Sequence, residues 1–285
     1  MFINLDPESV GIEIPLDELI PFASRHHFGG INLPLEQVAA RTDLDLLEAR
    51  MQEAGLRFGG FGVPLDFRRD QATCDRGMEQ LKTWIPIARR LGCDRGYTGV
   101  VPGHEELDYS ANFDLHVERL APLAALLGQH EIRLGLEFIG PKTLRDTFCH
   151  AFIYTIAQVL ELCAAIKSRA GAEAQVGVLL DCYHWYTSGG SQADLLDNLN
   201  NQNLTYVHVN DAVAGRSRDQ QMDLERELPC ATGLVDAPTF VRALKTLGYD
   251  GPVTAEPFSE ELDQLTADEI AVRVFASTRQ MLDCA

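Results

Sequence analysis

The sequence predicts an α/β chain folded as a single (β/α)8 TIM barrel. Three observations carry this expectation. The chain's 285 residues suit one large α/β domain, taken here as 1–285, on the scale of such barrels. Short β-branched or glycine-containing runs recur along its whole length, each followed by a longer amphipathic stretch. No GxGxxG opens a helix after the first run, which weighs against an open doubly wound sheet.

Eight strands are expected, in order: SVGIEI (9–14), FGGINL (28–33), RFGGFGV (57–63), DRGYTGVV (94–101), IRLGLEF (132–138), QVGVLLD (175–181), LTYVHVND (204–211) and GPVTAEPF (251–258). Between them lie helical patterns. In LEQVAARTDLDLLEARMQEAG the residues Val38, Leu46, Leu47 and Met51 fall near one face. FDLHVERLAPLAALLGQH before the fifth strand and FVRALKTLGYDG before the eighth share that character. Eight alternations imply a parallel sheet closed by right-handed crossovers. One stretch departs from the rhythm: residues 212–235 are long, polar and charged, and follow the seventh strand on the face where barrels place their sites.

The composition sets limits. Lys plus Arg number 24 and Asp plus Glu 42, a formal net charge of −18 that repels nucleic acid and anionic lipid. Seven scattered cysteines form no CxxC pair and read as reduced, mostly buried thiols of a cytoplasmic protein. The first residues lack a basic start and a long apolar run, so no signal peptide is expected, and nothing approaches the ~20 apolar residues of a membrane span. There is no G-x-S-x-G elbow, no Walker loop and no Cys–His pairing of useful spacing.

Polar residues at the strand ends are the informative feature. A buried barrel strand should read apolar, yet Glu137 closes IRLGLEF, Asp181 closes QVGVLLD, His208 sits in YVHVND and Glu256 in VTAEPF. Each alone reads as a cap, an ion-pair partner or a core histidine. Together, on four consecutive strands, they would bring three carboxylates and an imidazole into one pocket, where unpaired carboxylates repel one another. One divalent metal ion removes that conflict, and the ligand types suit Mn²⁺, Mg²⁺, Co²⁺ or Zn²⁺ without choosing among them.

Glu137 in GLEF, the run LLDCYHWYTSGG, HVNDA and the closing GYDGPVTAEPF resemble the sugar isomerase/epimerase superfamily of xylose isomerase-like barrels, which also includes the AP endonuclease 2 family. The resemblance covers the second half closely and the first half only in its strand–helix rhythm. It implies that Glu137, Asp181, His208 and Glu256 bind the metal. It also implies that His184, in D-x-x-H after Asp181, contacts substrate oxygens near the metal; a capping or ligand-supporting histidine is the structural alternative. Relatives often carry Asp-x-x-Arg in the long loop, matched here by Asp223 and Arg226, followed by a tighter Pro-Gly-x-Gly turn. Cys230 and Ala231 interrupt that glycine pattern. Arg226 is thus expected to hold a substrate oxygen or phosphate, although Arg216, Arg218 and Arg226 read equally as solvated charges.

Weaker candidates complete the set. His104 after the fourth strand and Lys142 after the fifth are expected to reach substrate, Lys142 reading otherwise as a solvent-facing charge. Glu13 and Asn32 are expected at the pocket floor, and Asp211 stands open between orienting a ligand and capping a strand end. The implied reaction is sugar or sugar phosphate isomerisation or epimerisation. Glu137 and Glu256 would move a proton through a metal-stabilised enediolate. The alternatives are an inositol-ketone dehydratase of the same superfamily and a catalytically silent sugar-binding barrel. An apurinic endonuclease fits poorly with the acidic surface. The partner is a small carbohydrate, with no nucleic acid and no membrane; the sequence permits a homo-oligomer without dictating one.

Overall fold

The computed structural model describes residues 1–259 and 261–285. Its barrel strands are β1 (Phe2–Leu5), β2 (Gly30–Ile31), β3 in two pieces (Arg57–Phe58 and Phe61–Gly62), β4 (Arg95–Val100), β5 (Arg133–Phe138), β6 (Val176–Asp181), β7 (Leu204–Val209) and β8 (Pro252–Ala255). All pairings in this sheet are parallel, and β8 lies between β1 and β7. The two pieces of β3 form the two ends of the strand order, three residues apart in the chain. The sheet therefore closes on itself through one bent strand.

That bend has a steric cause. A Cβ on Gly59 would stand 2.3 Å from the Asn4 side chain, and one on Gly60 would stand 2.7 Å from the Tyr206 ring. Only glycine lets the β3 backbone pass these inward-pointing groups.

The first expected strand is misplaced. SVGIEI forms a 3-10 turn (Glu8–Val10) closed by Gly11 at φ +72°, followed by an extended segment outside the sheet. The strand is instead FINL, which pairs with β8 on one side and β2 on the other. Val10 and Ile12 are buried, so their β-branched character reflects burial and not pairing.

Eight longer helices pack on the outside of this sheet: α1 (Leu16–Arg25), α2 (Leu44–Glu53), α3 (Gln71–Arg90), α4 (Tyr109–Gln129), α5 (Ile156–Ala170), α6 (Gln192–Asn198), α7 (Ala237–Thr246) and α8 (Ala267–Asp283), counted among the described residues. Their starts follow capping chemistry. Asp70, Asp108 and Asp236 accept from Thr73, Ala111 and Thr239 N–H at 3.0, 2.9 and 3.0 Å, and Thr266 with Glu269 forms a capping box. In α4 the buried face carries Leu120, Leu123, Ala124 and Leu127, the spacing of an amphipathic helix. The expected continuous pattern over 35–55 is broken into Leu35–Ala39 and α2. Val38, Leu47 and Met51 are buried, but Leu46 is 47% exposed. No helix of the described residues is long and apolar enough to cross a membrane. Cys74, Cys93, Cys163 and Cys182 are buried, and all seven thiols are free.

Candidate active site

The C-terminal ends of β5, β6 and β7, with Glu256 directly after β8, bring the four expected residues together. One donor atom from each of Glu137, Asp181, His208 and Glu256 lies within 4.8 Å of every other. His208 Nδ1 faces Glu137 Oε1 at 3.1 Å and Glu256 Oε2 at 3.3 Å, while its Nε2 is buried without a hydrogen-bond partner among the described residues. Asp181 closes β6 and caps the short helix Cys182–Thr187, accepting from Tyr183 N–H at 2.6 Å. Asn210 Nδ2 donates to both Asp181 oxygens, at 3.3 and 3.2 Å.

Arg226 enters this cluster from the long loop. Its Nη1 donates to Asp181 Oδ2 and Glu256 Oε2, each at 2.9 Å, and its guanidinium lies between the rings of Tyr183 and Phe258, 4.9 Å from each centroid. Asp223 holds it in place: Arg226 Nε donates to the Asp223 carbonyl at 2.8 Å and Nη2 to its carboxylate at 3.2 Å. Arg216 and Arg218 pair instead with Glu225 and Asp219 at the surface.

Asp211 organises the loop. Its carboxylate accepts from the N–H groups of Ala212, Thr232, Gly233 and Val235 at 2.7–3.0 Å, which makes it a strand-end cap. Cys230 takes φ +63°, a left-handed conformation at the position where the family pattern places glycine.

The electrostatics follow from burial and neighbours. Burial pushes the Glu137 carboxyl up, against the opposing pull of His208. Burial also works against the charge on Glu256, but His208 and Arg226 outweigh it and hold that carboxyl at about 2. His208 is raised well above its ordinary value: burial opposes its charge, and Glu256 and Glu137 prevail.

This donor set fits a divalent cation. Two atoms bound to one ion at about 2.0–2.2 Å lie no more than about 4.4 Å apart. The observed separations require only slight closure. Glu137, Asp181, Asp223 and Glu256 carry more negative charge than the one guanidinium of Arg226 offsets, and a divalent ion supplies positive charge where the ligand carboxylates meet.

The remaining candidates fall in different places. His184 is fully buried. Its Nδ1 accepts from Gly140 N–H at 3.2 Å, so in the neutral ring Nε2 carries the hydrogen, 3.9 Å from Asp223 Oδ1 and 3.3 Å from Arg226 Nη2. His104 caps its own turn, Nδ1 accepting from Glu106 and Leu107 N–H at 3.0 and 2.9 Å, and lines a separate cavity of about 430 Å³ with Asn112 and His116. Lys142 is ion-paired with Asp146 on a short surface helix.

A larger cavity of about 840 Å³ opens beside the cluster and reaches it at Glu256. Asn32 and Glu13 both line it, Asn32 buried within and Glu13 exposed toward solvent. The carboxylate at the end of β1 is therefore Asp6, which sequence reasoning misses by setting the first strand at 9–14. The signal is present: FINLD closes a mostly apolar run on an acid, as VLLD does.

Asp6 tops a buried polar network inside the barrel. Asn32 Nδ2 donates to Asp6 Oδ2 at 2.6 Å and to Tyr97 Oη at 2.7 Å, and Asn32 Oδ1 accepts from Tyr206 Oη at 2.7 Å and Asn4 Nδ2 at 2.9 Å. Thr254 Oγ1 meets Tyr206 Oη at 2.7 Å.

Comparison with known proteins agrees with this architecture. Residues 20–278 match the sequence model of the xylose isomerase-like TIM barrel family. The chain belongs to that family. Among solved family-like structures, a xylose isomerase domain protein from Alicyclobacillus acidocaldarius subsp. acidocaldarius is similar at 28% identity and a TM-score of 0.86, over 99% of this chain and 98% of that one. The IOLI protein with a bound zinc atom shares the fold at a TM-score of 0.80 and 18% identity, over 99% and 98% of the two chains. An inosose isomerase of Halalkalibacterium halodurans is 27% identical over 157 residues, 54% of this chain and 49% of the relative, so the match spans about half of that relative's length.

Proposed function

We infer that this family member is a divalent-metal-dependent isomerase or epimerase of sugars or related polyhydroxy ketones. The observation that carries the reading is the convergence of Glu137, Asp181, His208 and Glu256 within 4.8 Å at consecutive strand ends. The inosose isomerase relative and the zinc atom of the IOLI protein support it.

Glu137, Asp181, His208 and Glu256 would hold the ion. When bound, a divalent cation polarises a substrate carbonyl and stabilises the negative charge that develops beside it. Glu137 and Glu256 come from the fifth and eighth strands and flank the space between them. One takes a proton from carbon and the other returns a proton to the neighbouring carbon or opposite face. Arg226, fixed by Asp223, holds Asp181 and Glu256 through Nη1 and keeps one Nη2 hydrogen for a substrate oxygen. His184 Nε2 points to the same side. His104 and Lys142, in a separate cavity and a surface ion pair, have no part in this proposal.

The test is solvent exchange. The metal-loaded protein, incubated in D₂O with free ketoses, their phosphates and inositol-derived ketones, is expected to place deuterium beside the carbonyl of its substrate. Glu137→Gln and Glu256→Gln should each slow this by at least ~10²-fold. Metal analysis should give one ion per chain, lost in Asp181→Asn with His208→Ala. Loss of water from the product would move the reaction to dehydration. No exchange with any ketone would reject the isomerase reading.

A further inference from the structure

The walls of the 840 Å³ cavity differ sharply from the metal-type cluster at its edge. Among the described lining residues there is no Lys, Arg or His, while Asp6, Glu8, Glu13, Glu36 and Glu256 all contribute. Of these, Asp6 is the one built into the barrel. It follows β1 directly, and because Asn4 pairs with Thr254, Asp6 stands at the level of Glu256 on the neighbouring strand.

Its carboxylate is held, not free. Oδ2 accepts from Asn32 Nδ2 at 2.6 Å and Oδ1 from Glu8 N–H at 3.2 Å. Asn32 has no freedom to turn, since its two amide hydrogens and its carbonyl oxygen are all engaged. Tyr97 Oη, which accepts from Asn32, lies 3.4 Å from Asp6 Oδ2 and also lines the cavity. Tyr97 Oη donates to Oδ2 in turn, so Oδ2 accepts two bonds, while Oδ1 accepts one and retains a lone pair for a further donor.

We propose that Asp6 is the specificity-determining residue of this pocket. It accepts a hydroxyl hydrogen bond from an uncharged polyhydroxy ketone and, with the acidic rim, excludes phosphate esters. The chemistry follows from the donor–acceptor inventory. A carboxylate recognises hydroxyl donors, and a phosphate monoester offers only negative charge to a wall that supplies no cation. Asp6 acts on the part of the substrate remote from the metal-type cluster and is a positioning residue, not a base. The proposal rests on the isomerase or epimerase reading of the site.

The experiment uses the full-length metal-loaded chain, titrated with inosose, D-fructose and D-fructose 6-phosphate by calorimetry and assayed for exchange in D₂O. At least one neutral ketone should bind, and the phosphate should bind at least tenfold more weakly than fructose or not at all. Asp6→Asn should raise KM for the preferred neutral ketone at least tenfold, with kcat changed less, and narrow the preference over phosphate. Asp6→Ala should lose the neutral ligand further and lower the melting temperature, since Asn32 and Tyr97 lose their acceptor, while metal content stays near wild type. Tighter binding of the phosphate, no binding of any neutral probe, or unchanged KM in both variants would overturn the proposal. Binding without exchange would reject the isomerase reading alone and leave the role of Asp6 to be decided by the titrations.

Discussion

Gly140 fixes the distance between the loop after β5 and the helix that carries His184, and its substitution gives a stringent test of the site. A Cβ built there would stand 2.4 Å from the His184 carbonyl oxygen, 2.4 Å from Thr187 Oγ1 and 3.0 Å from Ser188 N. Ordinary contact begins at 3.4 Å, so Gly140→Ala demands a separation of about 1.0 Å. Two of the three obstacles are backbone atoms, and the Gly140 side is held as well, its carbonyl accepting from Arg145 Nε at 3.0 Å. The strain should cost about 1–3 kcal/mol of stability, as overpacking does. The same displacement breaks the 3.2 Å bond from Gly140 N–H to His184 Nδ1 and carries the ring away from Asp223 and Arg226. A misplacement of about 1 Å is enough to cost ~10²-fold in turnover. Urea unfolding and the D₂O exchange rate, measured on the same preparation, should both report the loss. A Gly140→Ala protein with wild-type midpoint and wild-type exchange would refute the steric argument and the placement of His184 together.

Two further substitutions separate binding from folding. Gly99 pairs with Glu137 and shares a strand face with cavity-lining Tyr97, and a Cβ there would meet nothing within 4 Å. Gly99→Val should therefore leave the melting temperature unchanged or raised, since β-branched residues suit strands, yet raise KM at least ~10-fold, about 1.4 kcal/mol. Wild-type KM in the Gly99→Val protein would show that substrate does not use this space. His116 is buried, its Nδ1 donating to the Asn112 carbonyl at 2.8 Å, and burial holds its pKa down to about 4. The unfolded chain, with an ordinary pKa near 6.5, binds the extra proton between pH 6.5 and about 4, so stability falls as pH drops through that window. The loss should reach about 2 kcal/mol at pH 5. His116→Phe should flatten the dependence by that amount in urea titrations at pH 7 and pH 5, and parallel curves for the two proteins would reject it.

The second half of the molecule was more legible than the first, for a physical reason. An acid at the end of an apolar strand is conspicuous because burying it alone is costly, so Glu137, Asp181 and Glu256 stand out in LGLEF, VLLD and VTAEPF. Their convergence with His208 follows from barrel closure, which the strand–helix rhythm also revealed. The first strand was hidden because FINL is four residues long and SVGIEI beside it has the stronger β character. Burial of Val10 and Ile12 mimicked a pairing signal. A first strand at 9–14 puts Glu13 where Asp6 stands. Asn4, Tyr97, Tyr206 and Thr254 were illegible as a network because their inward direction depends on register, which the sequence specifies only after the strand bounds are known. Sequence does not single out Arg226 among three loop arginines, because the course of the loop depends on Asp211 gathering four backbone N–H groups.

These two kinds of legibility map onto two kinds of wall. The ends of β5 to β8 carry charged groups whose proximity is tolerable only with compensating charge, supplied in part by Arg226 at 2.9 Å from Asp181 and Glu256. Asp6 and Asn32, just beyond β1 and β2, and Tyr97, within β4, supply a carboxylate, an amide and a phenol that satisfy one another through short hydrogen bonds. Charge at close quarters constrains residue type narrowly, since no neutral side chain replaces a carboxylate toward a cation. Hydrogen-bond shape constrains it loosely, because several donor and acceptor sets read the same hydroxyl pattern. A barrel that keeps the first wall and varies the second retains its proton chemistry while changing which polyol it accepts. If Asp6 reads the substrate as proposed, exchanging Asp6, Asn32 and Tyr97 together should move specificity, measured as the ratio of KM values for neutral ketones, without dismantling the cluster across the pocket; unchanged ratios would refute the division of the walls.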